Sequence, residues 1–249
     1  MSGHSKWSTI KRAKGATDAK RGQLFTKLAR EITVAARAGI PDPESNGRLR
    51  LAIQRARAEN MPRDNIERAI ERAKATGVGD NFDEVTYEAF MPGGIAIIIQ
   101  AMTDNRNRTV GEVRAVVTRG GGNVGADGAV AWMFESVGQI VVKNGGRDED
   151  EIAMLAIDAG ATEFETDEET SVIYTDPQEL HTVSEALASG GLEIESTDLI
   201  MKAKDQIAPD SAQAVKILRV LEKIEDLDDV QNVYSNLELT DEVFAQVSG

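Results

Sequence analysis

The sequence predicts an α+β protein with a helical N-terminal domain and two α/β domains, the last one ferredoxin-like and inserted into the middle one. Apolar residues follow helical spacing in the first part of the chain, whereas short apolar runs separated by turn signals dominate after it. A β-α-β-β-α-β order, typical of the ferredoxin-like motif, then fills the third part. The predicted domains are residues 1–77, residues 82–135 together with 205–239, and residues 138–201.

The first domain is predicted to contain three amphipathic helices. They cover residues 23–39, a stretch ending at about Asn60, and residues 61–77. The spacing of Asp64 and Glu67 predicts a capping box at the start of the third helix. The second helix is expected to bury Leu49, Ala52, Ile53 and Ala56.

The middle domain is predicted to begin with two strands, "EVTYEAF" and "IAIIIQAM", joined by a type II turn at "MPGG". A helix is expected to begin at Thr109, with Glu112 completing a capping box, and "AVAWMFE" (129–135) is expected to form a strand. This β-β-α-β run lacks a partner helix and strand. Residues 211–227 and 230–239 supply them, so the domain is predicted to be discontinuous.

The inserted domain is predicted from six consecutive segments. They are "GQIVVK", a helix near 148–159, "TEFET", "TSVIYT", a helix near 177–189, and "LEIESTDLIM".

The formal net charge of −14 is unevenly distributed. Residues 1–77 contain 17 Lys and Arg against 8 Asp and Glu, whereas the remainder contains 11 against 34. A basic module on an acidic body indicates a polyanionic partner for the module. The sequence contains no signal-peptide pattern and no apolar run of membrane-spanning length, so a cytoplasmic protein without a membrane partner is expected.

The basic arm "GHSKWSTIKRAKGATDAKRG" (3–22) is the first candidate for binding nucleic acid, because Lys and Arg neutralise phosphates. Trp7 is interpreted either as a base-stacking residue or as part of a small core. The arginines of the second helix face phosphates in the same hypothesis, while "TDNRNRT" (103–109) is either a phosphate site or a capped loop. The complete set of candidates is His4, Lys6, Trp7, Lys11, Arg12, Lys14, Lys20, Arg21, Lys27, Arg30, Arg48, Arg50, Arg55, Arg57, Arg106 and Arg108.

The sequence does not indicate an enzyme. It contains no cysteine and two distant histidines, and it lacks the nucleophile and metal-ligand motifs of catalytic sites. The glycine-rich "RGGGNVGADG" (119–128) lacks a phosphate-loop ending and is interpreted as a turn. No metal, cofactor or small-molecule substrate is expected.

Several segments in order resemble the YebC family, whose mitochondrial relatives include the translational activator of cytochrome oxidase. They include "GHSKWSTIKRAKGATDAKRGQLFTKLAREI", "NMPRDNIERAI", "TDNRNRT" and "VAWMF". The chain departs from the family pattern at "YEAFMPGG", where relatives often read "YEGYGPGG". The resemblance implies three domains, with one α/β domain inserted in the other, and it brings no established catalytic residues.

The resemblance implies a DNA-binding transcriptional regulator, because most members are described as probable transcriptional regulators. The alternative it leaves open is a ribosome-associated translation factor that binds ribosomal RNA. A third hypothesis is a protein-interaction scaffold that uses the ferredoxin-like sheet.

Overall fold

The computed structural model describes residues 18–74, 81–240, 242–243 and 245. Over these residues it contains seven α-helices and two four-stranded sheets, which confirms the mixed helix and sheet class. The chain divides into two compact units. Unit 1 comprises Ile32–Lys74 and Ser136–Ile200, and unit 2 comprises the described residues of 18–31, 81–135 and 201–245.

The helices are α1 (Asp18–Ala38), α2 (Gly47–Ala58), α3 (Arg63–Lys74), α4 (Arg106–Arg119), α5 (Glu149–Ala159), α6 (Leu180–Ser189) and α7 (Ser211–Glu225). The strands are β1 (Asp83–Met91), β2 (Ile95–Thr103), β3 (Asn123–Val124), β4 (Phe134–Lys143), β5 (Glu163–Thr166), β6 (Thr170–Thr175), β7 (Glu193–Ala203) and β8 (Val230–Ser235). Among the described helices, none combines the length and hydropathy that a membrane crossing requires.

In unit 1, α2 and α3 bury the apolar stripes expected from their spacing. All four residues predicted to face inward from α2 are buried, and the Thr33 hydroxyl donates to the carbonyl of Ala69 in α3 at 3.1 Å. The predicted capping box of α3 is wrong. The helix already begins at Arg63, so Asp64 lies inside its first turn, and the Glu67 carboxylate accepts from Arg63 Nε at 2.6 Å instead.

The sheet that contains β4 has the strand order β5-β6-β4-β7. Strand β6 pairs antiparallel with both β4 and β5, so β6 separates the two strands that α5 connects. Helices α5 and α6 cover the apolar side of the sheet, where Ile140, Ile152, Ile173 and Leu187 are fully buried. All six segments predicted here form the expected type of element.

The sheet of unit 2 has the strand order β3-β1-β2-β8. The β1–β2 hairpin pairs Met91 with Ile95, and Gly93 has the positive φ (+85°) that the third position of a type II turn requires. Helices α4 and α7 pack on one face of this sheet, with Ile97, Val117 and Ile217 buried between them.

Two predicted element boundaries in unit 2 are wrong. Helix α4 begins at Arg106, three residues before Thr109, because the side chain of Asn105 accepts from Arg108 N and caps the helix there. The strand predicted at 129–135 is a 3₁₀ turn over Ala131–Met133, and β4 starts only at Phe134. The Glu88 carboxylate accepts from the amides of Val130 and Ala131 in this segment and from Gly128 just before it, so those amides are unavailable for strand pairing.

Candidate nucleic-acid interface

Eight of the candidate residues belong to the predicted arm. Lys20 and Arg21 lie in α1, because that helix already begins at Asp18. The other six lie outside the described residues: His4, Lys6, Trp7, Lys11, Arg12 and Lys14. The structure describes ten of the candidates, which differ in exposure and in the partners that hold them.

Helix α2 is held in place at its N-terminus by Asn46. The Asn46 side chain accepts from Leu49 N at 3.0 Å and donates to the carbonyls of Ala35 and Ile40, each at 2.9 Å. A Cβ on Gly39 would lie 2.9 Å from the Asn46 amide nitrogen, so this close turn favours glycine. One side chain therefore caps α2 and joins it to the end of α1.

The four arginines of α2 have different surroundings. Arg48 and Arg57 are exposed, whereas Arg50 and Arg55 are half-buried. Arg50 donates to His181 Nε2 at 2.9 Å and to the carbonyl of Pro43 at 3.1 Å. Arg55 lies 3.7 Å from the carboxylate of Asp198. Arg48 and Arg57 are therefore the exposed arginines of α2, one on each flank of its buried stripe, while the other two arginines attach the helix within unit 1.

The basic residues at the start of α1 differ in the same way. Lys20 and Arg21 are exposed, and Lys20 lies 3.7 Å from Asp226. Lys27 is half-buried, and its ammonium donates to the carbonyl of Glu225 at 2.6 Å, at the C-terminal end of α7. A cation at this end of a helix binds the terminal carbonyls and complements the helix dipole. Lys27 therefore attaches α1 to the C-terminal end of α7.

Arg30 is the most deeply engaged of the candidates. Its guanidinium donates to the Asp229 carboxylate at 2.9 Å and to the carbonyl of Met102 at 2.7 Å, and it lies over the Phe82 ring at 4.7 Å. Its side chain is only 13 % exposed. Arg30 stabilises unit 2 and presents little surface to a phosphate.

The loop before α4 has the geometry of a capped loop. Arg106 donates to Asp83 at 2.7 Å. Arg108 donates to Asp104 at 2.8 Å and to Asp229 at 2.6 Å. The hydrogen bonds to these aspartates raise the pKa of both guanidinium groups. Of the two interpretations of "TDNRNRT", the geometry favours the capped loop.

Asp229 connects these arginines to the protein interior. Its side chain is nearly inaccessible; one oxygen accepts from Arg30, and the other accepts from Arg108 and from the hydroxyls of Thr103 and Thr109. Burial would raise the pKa of Asp229, but the bonds from Arg108 and the two threonines outweigh burial and lower it. The carboxylate therefore remains charged and joins α1, β2 and α4.

Sequence reasoning missed three residues of unit 2. Asp229 and Glu88 are buried carboxylates with several donors each, and Trp132 is an indole that is 68 % exposed. Nothing local distinguishes the two acids from surface carboxylates. Val130 and Phe134 stand two residues from Trp132, a spacing that puts all three on one face of the predicted strand, so the sequence carried no signal that Trp132 is exposed.

No cluster of histidine and carboxylate side chains suited to a metal ion occurs within the described part of the chain.

Comparison with known families extends over both parts of the chain. Residues 5–76 match the model of the TACO1/YebC protein N-terminal domain, and residues 82–237 match the model of the TACO1/YebC second and third domain.

Individual relatives align over nearly the full length. A protein of Chloroflexus aggregans is 54% identical over 98% of both chains, and one of Roseiflexus castenholzii is 51% identical over 100% of both. Both are named as probable transcriptional regulatory proteins. The crystal structure of a conserved hypothetical protein from Aquifex aeolicus, 46% identical, superposes with a TM-score of 0.84 over 91% of this chain and 93% of that one. The chain therefore belongs to the TACO1/YebC family.

Proposed function

We propose that the protein is a non-enzymatic regulator of gene expression that binds nucleic acid through its basic N-terminal region. The observation that carries this proposal is the exposure of Arg48 and Arg57 on α2, in the part of the chain where Lys and Arg outnumber Asp and Glu. Exposed cations in a basic part of the chain provide a grip on phosphates that does not depend on sequence.

The candidate residues contribute unequally to this interface. The exposed cations Lys20, Arg21, Arg48 and Arg57 contact phosphates together with the arm candidates that precede α1. Lys27, Arg30 and Arg108 serve the fold, because carbonyls and carboxylates within unit 2 already bind them. Arg50 and Arg55 orient α2.

DNA is the first nucleic acid we propose, with a role in transcription, because the similar proteins carry the name of probable transcriptional regulatory proteins. The second candidate is ribosomal RNA, with a role in translation. Residues 136–200 contain 2 Lys and Arg against 16 Asp and Glu, and an acidic surface suits the basic proteins of a ribosome.

The domain arrangement belongs to the same proposal. We assign residues 1–77 to a helical domain, 82–135 with 205–239 to a discontinuous α/β domain, and 138–201 to an inserted ferredoxin-like domain. The strand order β3-β1-β2-β8 supports the discontinuity, because β8 follows the proposed insertion in the chain yet pairs with β2. We propose the cytoplasm as the location.

The proposal is tested by reversing three arm charges, Lys11→Glu, Arg12→Glu and Lys14→Glu, and measuring affinity for duplex DNA and for ribosomes at several salt concentrations. The slope of log affinity against log salt is expected to fall by about one unit for each phosphate that the arm no longer binds. The matched control reverses Lys216, Arg219 and Lys223 on α7. An unchanged slope in the arm variant overturns the arm as the anchor, and the stronger wild-type partner distinguishes DNA from the ribosome.

A further inference from the structure

Trp132 is exposed although it lies in a well-anchored turn. The 3₁₀ turn Ala131–Met133 lies between Val130 and Phe134, which are 0% and 4% exposed, while the indole is 68 % exposed. Burial of a tryptophan side chain ordinarily contributes strongly to stability. Here the buried Val130 and Phe134 anchor the segment, whereas the larger side chain of Trp132 points to solvent.

The turn is held by a buried carboxylate. Glu88, on strand β1, accepts from Val130 N at 2.5 Å, Gly128 N at 2.7 Å and Ala131 N at 2.8 Å. Burial would raise the pKa of Glu88, but these three amide bonds outweigh burial and lower it, so the carboxylate is charged at neutral pH. The backbone beneath Trp132 is therefore fixed before any ligand arrives.

The orientation of the indole and its charged neighbour favour a stacking ligand. The indole N–H donates to the carbonyl of Ala129 at 3.1 Å, so the ring offers its π-face and edge and no free donor. The exposed Lys204 places its ammonium 2.9 Å from the carbonyl of Trp132. An exposed aromatic ring with a cation bound at the same turn of the backbone suits single-stranded nucleic acid, since the ring can stack on a base while the cation meets the phosphate backbone.

We infer that Trp132 is a stacking platform for an unpaired nucleobase, with Lys204 supplying the adjacent phosphate contact and Glu88 acting as a positioning residue. This inference rests on the proposed nucleic-acid function and adds that part of the bound nucleic acid is single-stranded. A protein partner is the alternative occupant. The Lys204 ammonium at the backbone carbonyl of Trp132 favours the nucleic acid, because it is placed to meet a phosphate of a strand whose base stacks on the indole.

The first test uses the intrinsic fluorescence of Trp132. The protein has two tryptophans, so a Trp7→Phe variant leaves Trp132 as the single indole. Titration with single-stranded RNA or DNA of about twelve nucleotides, a length within the usual site sizes, is expected to quench its emission in parallel with binding. The duplex of the same length is expected to bind with little quenching, because its bases are already stacked on each other.

The second test compares Trp132→Ala with Trp132→Phe and Lys204→Met in the otherwise native chain. Loss of one stacking interaction is expected to weaken single-strand binding about tenfold in the alanine variant and to change duplex binding less than about twofold. The phenylalanine variant retains a π-face and is expected to recover most of the affinity. The Lys204→Met variant is expected to lower the salt slope by about one unit without abolishing quenching in the Trp7→Phe background. Lys223→Met on α7 is the matched control for the lysine change.

The possible outcomes separate this inference from the proposed function. If the wild-type protein binds neither single strands nor duplexes, the proposed function and this inference both fail. If it binds single strands with unquenched Trp132 emission, or if Trp132→Ala leaves single-strand affinity unchanged, only the stacking platform is overturned. Equal weakening of single strands and duplexes also overturns it, because a stacking interaction discriminates between them.

Discussion

Helix α2 and the loop before α4 both place arginines in segments that resemble phosphate sites, and their surroundings differ. On α2, Arg48 and Arg57 are exposed on either flank of the buried stripe. Before α4, Arg106 and Arg108 each donate to carboxylates, and Arg108 is held by two of them. The two loop arginines are also exposed, but each pairs with an aspartate that a phosphate would have to displace.

The difference arises from acids that are distant in sequence. Asp229 lies 121 residues from Arg108 and 199 from Arg30, yet it binds both in unit 2. An arginine that a buried carboxylate already holds has little to offer a polyanion, so a count of basic residues overestimates the interface.

Removing Asp229 tests how much its bonds to Arg30 and Arg108 stabilise the fold, and it is expected to have the largest effect of the substitutions proposed. Asp229→Ala removes the carboxylate that binds the largely buried Arg30 guanidinium and the Nη2 group of Arg108. The free energy of unfolding is expected to fall by about 3–5 kcal/mol, the usual loss when one partner of a buried ion pair is removed. Urea denaturation followed by circular dichroism measures it.

Asp229→Asn separates charge from hydrogen bonding at the same position. It retains the shape and one oxygen acceptor, and it should restore little of the lost stability if the charge matters most. Full recovery by asparagine would show that Asp229 acts as a neutral acceptor, and the contrast between the two arginine regions would no longer rest on charge.

Glu88 sharpens the comparison because it is a buried carboxylate that binds amides in place of arginines. Glu88→Gln is expected to lower the free energy of unfolding by about 1–3 kcal/mol, less than Asp229→Ala, because no buried cation is left uncompensated. Thermal unfolding of both variants and of the wild type, followed by circular dichroism, shows which substitution causes the larger loss of stability. A larger loss for Glu88→Gln would reverse the assigned importance of the two acids.

The pH dependence of Glu88 has a definite sign. Its pKa is lowered in the folded state, so its contribution is complete above the ordinary glutamate pKa of about 4.3 and is lost as the pH falls through the lower, folded value. Below about pH 4.3, the stability of the wild type is expected to fall more steeply than that of Glu88→Gln. Parallel curves in acid would contradict this assignment.

The sequence predicted most elements of the fold and only part of the candidate site. The apolar spacing of α2 identified its four buried residues, since helical periodicity is a local property. Local patterns failed at 129–135, because Glu88 from another strand binds the amides that the predicted strand would have paired. They failed also at Arg30, whose surroundings depend on Asp229 and Met102. Long-range partners decide both cases, and local spacing does not encode them.

The exposed side of the comparison is tested by removing charges from side chains that project to solvent. Arg48→Gln with Arg57→Gln is expected to lower the slope of log affinity against log salt by about two units, one for each phosphate contact, with stability nearly unchanged. Arg106→Gln is the comparison variant, since Arg106 is exposed as well but pairs with Asp83, which a phosphate would have to displace. Fluorescence anisotropy with a labelled duplex at several salt concentrations measures all three slopes. Equal changes for Arg106→Gln and for either α2 arginine would show that the pair with Asp83 opens on binding, so that the ion pairs seen in the structure do not decide which arginines bind nucleic acid.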